Sequence, residues 1–196
     1  MKTLYLECNM GAAGDMLMAA LYELMSESEK QDFLETMNRL FPGVEIHPRQ
    51  AVTCGITGTH MDVTVRGEEE HSHDVALGCG HDHDHIHEHH HEHDHSHAHD
   101  HHHDHDHDHG HTHHHTAPAD IAALLDALDA PAEVKDAAKS IYARIADAEA
   151  KAHGMPVEKI HFHEVGALDA VADVTGACLA VHMLRPDPVS YTHLRA

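Results

Sequence analysis

Leu4, Leu6 and Cys8 alternate with Tyr5 and Glu7, a period of two that predicts a first strand. Asn9 to Asp15 carries Gly11 and Gly14 and reads as a turn. An apolar helix follows from Met16 to Met25, with Leu17, Leu21, Leu24 and Met25 at helical spacing. It is apolar nearly all round, which predicts burial. Ser26 and Glu29 have the form of a capping box. The helix they open bears the stripe Phe33, Leu34, Met37, Leu40 and Phe41 and stops at Pro42-Gly43. Val44–His47 and His60–Arg66 alternate again, with Met61, Val63 and Val65 on one face and a turn or bulge at Gly55 and Gly58. These two segments predict a small antiparallel unit.

After a long polar interval the helical period returns at Ile121, Leu124, Leu125 and Leu128. Pro131 stands where a long helix starts, and Val134, Ile141, Ile145 and Ala148 carry it to a stop at Gly154. Ile160 to Val165 alternates as a short strand, and a last helix runs from about Leu168 to Leu184. The pattern predicts an α+β fold: a small mixed sheet with several packed helices.

The interval itself changes the picture. From His71 to His115 nearly every second residue is His, most often with Asp or Glu between. Its only apolar side chains are Val75, Ala76, Leu77, Cys79, Ile86 and Ala98. So little apolar surface cannot offset the entropy of ordering, which predicts a disordered insertion over residues 67–115. The folded domain is then discontinuous, residues 1–66 with 116–187. Pro188–Ala196 fits no preceding pattern, resembles a translated sequencing-adapter tail and is set aside as non-native.

In an extended chain, residues two apart lie on one side, about 6.6–7 Å from each other. The ligands this places in a row are His81, His83, His85, His87, His89, His91, His93, His95, His97, His99, His101, His103, His105, His107, His109, His111 and His113. Neutral imidazoles interleaved with carboxylates suit borderline divalent ions: Ni2+, with Zn2+ or Cu2+ as alternatives. Each site must order the chain to form, so many exchangeable sites are expected rather than one tight one.

With His neutral, formal net charge is −22, which argues against nucleic acid and anionic membrane as partners. Protonation of the 30 histidines would erase that charge, so the tract changes character between about pH 7 and pH 5. The four cysteines, Cys8, Cys54, Cys79 and Cys178, form no CxxC pair and read as reduced thiols. Met1-Lys2-Thr3 leads into a strand pattern rather than a signal peptide, and no stretch approaches the roughly 18 apolar residues of a membrane span. A cytoplasmic protein is expected.

Two further segments carry candidate chemistry. His161 and His163 would share one face of a strand, and Asp169 and Asp173 one face of a helix that Gly176 extends without bulk. With Glu164 they offer two imidazoles and two or three carboxylates at a strand-to-helix turn, suited to a metal or to acid–base work. The blander account is that Asp169 merely favours a helix N-terminus and that the histidines are exposed. The other segment is Gly11–Asp15, whose backbone N–H groups could face a phosphate, with Gly11 and Gly14 shaping the turn; Asp15 as a plain N-cap is the alternative.

Together these segments resemble the N-terminal part of the nickel-insertion protein family LarC. Asn9-Met-Gly-Ala-Ala-Gly-Asp-Met16 matches its first motif, with Asn9 and Ala13 where the family has small hydroxyl residues. Gly55-Ile-Thr-Gly-Thr59 matches a second, and His161 to Asp173 the most specific, HxHEVGAxDxxxD. The resemblance implies nickel transfer, dependent on CTP, to the pyridinium dithiocarboxylate mononucleotide that becomes the nickel-pincer cofactor of lactate racemase. It carries over Asp15, His161, His163, Glu164, Asp169 and Asp173 as catalytic-motif residues. Implied partners are the cofactor precursor, a nucleotide-handling C-terminal region in the same or a separate chain, and a second copy in a homo-oligomer. Cys8 and Cys79 offer soft relay ligands. The competing reading is a non-catalytic nickel or zinc storage protein or metallochaperone.

Overall fold

The structure is a computed structural model, and it describes residues 2–7, 11–67 and 116–187. In chain order these form α1 (Gly14–Glu23), α2 (Glu27–Leu40), β1 (Val44–Thr53), β2 (Ile56–Val65), α3 (Pro118–Ala127), α4 (Ala132–His153) and α5 (Leu168–Leu184), with short 3-10 turns at Val157–Lys159 and Glu164–Gly166. The expected insertion beyond Gly67, with every tract histidine and Cys79, lies outside the described residues, as do Cys8 and the tail 188–196.

The α+β class is present. Where a small mixed sheet was expected, the described residues hold one antiparallel pair, β1 against β2, with Val44 opposite Val65 and Thr53 opposite Ile56. Its turn is Cys54-Gly55, both at positive φ, 51° and 79°. That is a type I′ geometry, whose twist suits a hairpin and whose second position favours glycine. In this register the backbone of Ile46 and of Thr59 points outward from the pair. Each outward group is met by a helix. Asn38 Oδ1 accepts the Ile46 N–H at 2.7 Å, and Asn38 Nδ2 donates to the Ile46 carbonyl at 3.2 Å. On the other edge the Glu23 carboxylate accepts the Thr59 N–H at 2.8 Å. Asn38→Ala should therefore lower stability by about 1–3 kcal/mol, since it strands a part-buried amide. A denaturation midpoint identical to that of the parent chain would refute the role given to this amide.

The capping box at Ser26 and Glu29 is present, and Phe33, Met37 and Leu40 bury the α2 stripe. Two close crossings set the helices. A Cβ on Gly14 would stand 2.6 Å from Asp173 Cβ, and one on Gly176 would overlap Met18 Sδ. The pairs Gly14–Asp173 and Met18–Gly176 thus lay α1 beside α5 with both chains running the same way. Around this crossing Met18, Phe33, Met37, Met61, Leu125, Val171 and Leu179 form the core. Each fully buried large side chain contributes roughly 1.5–3 kcal/mol of transfer free energy.

Several expectations need correction. Residues 2–7 form no strand, because α1 and Asn38 already occupy the hairpin's edges; Tyr5 and Leu6 stay exposed, and Lys2 is instead tied to Asp187 through reciprocal hydrogen bonds. Residues 160–165 make only a single antiparallel bridge, Phe162 with Thr116, before the Glu164–Gly166 turn feeds α5. The α1 helix is buried on one face only, leaving Met16 and the C-cap Leu24 exposed, since its neighbours α5 and β2 lie on the other side. On α4 the buried positions are Val134, Ala138, Tyr142, Ala146 and Ala150, whereas Ile141 and Ala148 are exposed. Alanines at a spacing of four let α4 close on its neighbours, and that closeness outweighs the transfer gain of burying an isoleucine. Gly154 stops α4 at positive φ, as expected.

Among the described residues no helix is long and apolar enough to cross a membrane.

Candidate functional site

Because α1 and α5 run alongside each other, their N-terminal turns open at the same end of the domain. Asp15 stands in the first turn of α1 and Asp169 in the first turn of α5. Asp173 follows one turn later, at the spacing of four that puts it on the face of Asp169. Gly14 has no Cβ, so α1 comes close enough for the Asp15 backbone N–H to donate to the Asp173 carboxylate. The anion that a helix N-terminus attracts is thereby supplied from within, by Asp173. Ala13 is the N-cap of α1 and makes no side-chain cap, so Asp15 is not the N-cap. Gly11 precedes it at φ 80° in open space.

Burial pushes the Asp173 carboxyl up to about 7, the charges of Asp15 and Asp169 push the same way, and the Asp15 N–H opposes them. Its Oδ1 is buried with no hydrogen-bond partner among the described residues. Tyr142 closes the floor: its hydroxyl donates to the Val165 carbonyl at 3.0 Å. Burial, then Asp169 and Asp173, raise its pKa, so it stays a neutral phenol. At the rim, His60 on β2 holds Nδ1 3.8 Å from Asp15 Oδ2 and Nε2 3.4 Å from Asp62 Oδ1. Arg49 Nε fixes Asp62 at 2.7 Å.

The structure therefore brings together Asp15, Gly14, Asp169 and Asp173 of the residues singled out from sequence. His161, His163 and Glu164 are exposed, beside buried Ile160 and Phe162. Among the described residues no group of three or more His, Cys, Asp or Glu side chains is arranged to hold a metal ion. The carboxylate trio is thus a field that draws cations and a store for one proton, not a preformed cage. His60 was missed. It alternates with Met61 on β2, and nothing in the spacing says that α1 will pack against its side of the hairpin. Cys178, whose thiol burial pushes up to about 11, is no candidate nucleophile at neutral pH.

Over residues 4–196 the chain matches the family described as nickel insertion protein. A pyridinium-3,5-bisthiocarboxylic acid mononucleotide nickel insertion protein from Lactiplantibacillus plantarum is 36% identical over 189 residues, covering 96% of this chain and 39% of that protein. One of the same name from Clostridium acetobutylicum is 38% identical over 191 residues, with 96% and 42% covered. Another, from Alkaliphilus metalliredigens, is 33% identical over 192 residues, with 97% and 39% covered. The chain spans about two fifths of the length of these curated relatives. No solved structure matches it.

Proposed function

The chain belongs to the nickel insertion protein family, and from that premise we propose that it is the nickel-gathering part of a machine that inserts nickel into a pyridinium bisthiocarboxylic acid mononucleotide. The observation that carries this reading is the family match across residues 4–196, joined to a histidine tract whose ligands suit the ion. Nickel is the cargo. The tract binds it as neutral imidazole and carboxylate, in many sites that exchange. The Asp15–Asp169–Asp173 trio draws the cation to the folded domain without trapping it, as an exchange point should. The finished product is the nickel-pincer cofactor of lactate racemase, and CTP is consumed by the nucleotide-handling region that completes the relatives. His161, His163, Glu164, Gly11 and Gly14 complete the family's motif around this end of the domain.

Native mass spectrometry at neutral pH in micromolar nickel tests the collecting role. The intact chain should emerge with several ions, and the variant lacking residues 71–115 should lose most of them. Equal loading of the two would end the collector reading. Transfer to the mononucleotide, assayed with the complete family protein, tests the trio: Asp169→Ala with Asp173→Asn should slow it, and undiminished transfer removes the trio from the mechanism. A chain that loads nickel and never releases it to the mononucleotide is a store instead.

A further inference from the structure

At the far end of α5, roughly 24 Å from Asp169 at 1.5 Å per residue, the electrostatics reverse. A groove of about 660 Å3 opens there, and Lys2, Arg39 and Arg185 line it together with His182. The whole chain has only 12 Lys and Arg against 34 Asp and Glu, so a groove whose three cations outnumber its two acids reverses the sign of the chain as a whole. Among the described residues no ion pair engages the side chain of Arg39 or Arg185. Two acids share the lining, Glu29 and Asp129. The Ser26 hydroxyl and N–H both donate to Glu29 and hold it ionised near Lys2, so Arg39 and Arg185 carry the free positive charge of the groove. Leu179 and Met183 supply an apolar floor.

Cations at the C-terminal ends of α2 and α5 would be expected from the helix dipoles alone. That account covers Arg39 and Arg185 one at a time. It does not cover Lys2, which lies on no helix and is brought here by its backbone bonds to Asp187. Nor does it explain why the three meet over an apolar floor in a cavity of nucleotide size.

We propose that this groove binds the anionic mononucleotide itself, with Arg39 and Arg185 on the phosphate and the apolar floor under the pyridinium ring. This rests on the reading that the chain handles such a mononucleotide. That ligand carries a phosphate and two thiocarboxylates, so the trio Asp15–Asp169–Asp173 repels it and the basic groove does not. Guanidinium groups match phosphate oxygens bidentately, which lysines do not. One end of α5 thus holds the anion in waiting, and the other loads it once nickel has neutralised the charge of the trio.

Isothermal calorimetry with pyridinium-3-carboxylate mononucleotide as probe tests the assignment on the whole chain. The probe should bind, its dephosphorylated nucleoside at least tenfold more weakly. Arg39→Ala with Arg185→Ala should weaken the probe at least tenfold; both side chains are exposed, and circular dichroism checks that the fold survives. Arg144→Ala, an exposed arginine on α4 outside the groove, should leave affinity within twofold. No binding by the parent chain, an unchanged affinity in the double-arginine variant, or CMP or inorganic phosphate binding as tightly as the probe would each overturn it. Such a failure alongside nickel transfer that still depends on residues 71–115 condemns the groove and spares the nickel reading.

Discussion

Phe162→Ala should destabilise the folded domain by about 3–5 kcal/mol, a large part of the 5–15 kcal/mol typical of a domain. Phe162 is 1% exposed, and its ring packs on Tyr142 with centroids 5.8 Å apart and planes tilted by 58°. Among the described residues its backbone makes the bridge that ties the re-entry of the chain to the site: Phe162 N–H donates to the Thr116 carbonyl at 2.8 Å, and Thr116 N–H returns at 3.4 Å. Gly166 passes directly beneath, where a Cβ would stand 2.7 Å from Phe162 Cβ, so the cavity left by the ring cannot be filled by a small shift of that turn. Tyr142 would lose its neighbour and with it the support of the floor under Asp169 and Asp173. Urea unfolding should show a lower midpoint at unchanged slope. A midpoint within a few tenths molar of the parent would mean that the turn collapses onto the gap and that the ring is not the anchor.

The same residue shows what was legible in the chain and what was not. Local signals with one meaning came through: the capping box at Ser26, the α2 stripe from Phe33 to Phe41, the stop at Gly154. So did the spacing of Asp169 and Asp173, because a period of four survives whatever the helix packs against. Period-two runs were less reliable. At 160–165 the alternation did report burial, Ile160 and Phe162 inside and His161 and His163 outside, yet it could not report whether a partner strand exists. On α4 the predicted stripe held at Val134 and in part at Ile145, while Ile141 and Ala148 are exposed and the alanines that permit close approach took the buried face. The contact of Gly14 with Asp173 joins positions about 160 apart in sequence, and the hairpin histidine His60 enters through α1 packing on β2. Neither leaves a periodic trace.

Asp173→Asn should raise stability at pH 8 and leave it nearly unchanged at pH 4, and the sign follows from proton counting. An unfolded aspartate titrates near 3.8, whereas burial and the charges of Asp15 and Asp169 hold the folded carboxyl at about 7. Between these values the folded state binds more protons than the unfolded one, so this group's contribution to stability falls as pH rises through the window. Above about pH 7 the cost is complete. A gap of three pH units corresponds to roughly 4 kcal/mol at most, and about half of that is reasonable for a carboxyl with partial access to solvent. Asparagine keeps an acceptor for the Asp15 N–H and brings no charge, so it removes the cost while preserving the shape. Every other titrating group is common to both proteins and cancels in their difference. The difference should therefore grow from pH 4 to pH 7 and then level off. A difference that stays flat across that range would place the Asp173 proton elsewhere. If stability rises while nickel transfer falls, the chain retains a carboxylate it would fold better without, and the reason to keep it is the cation.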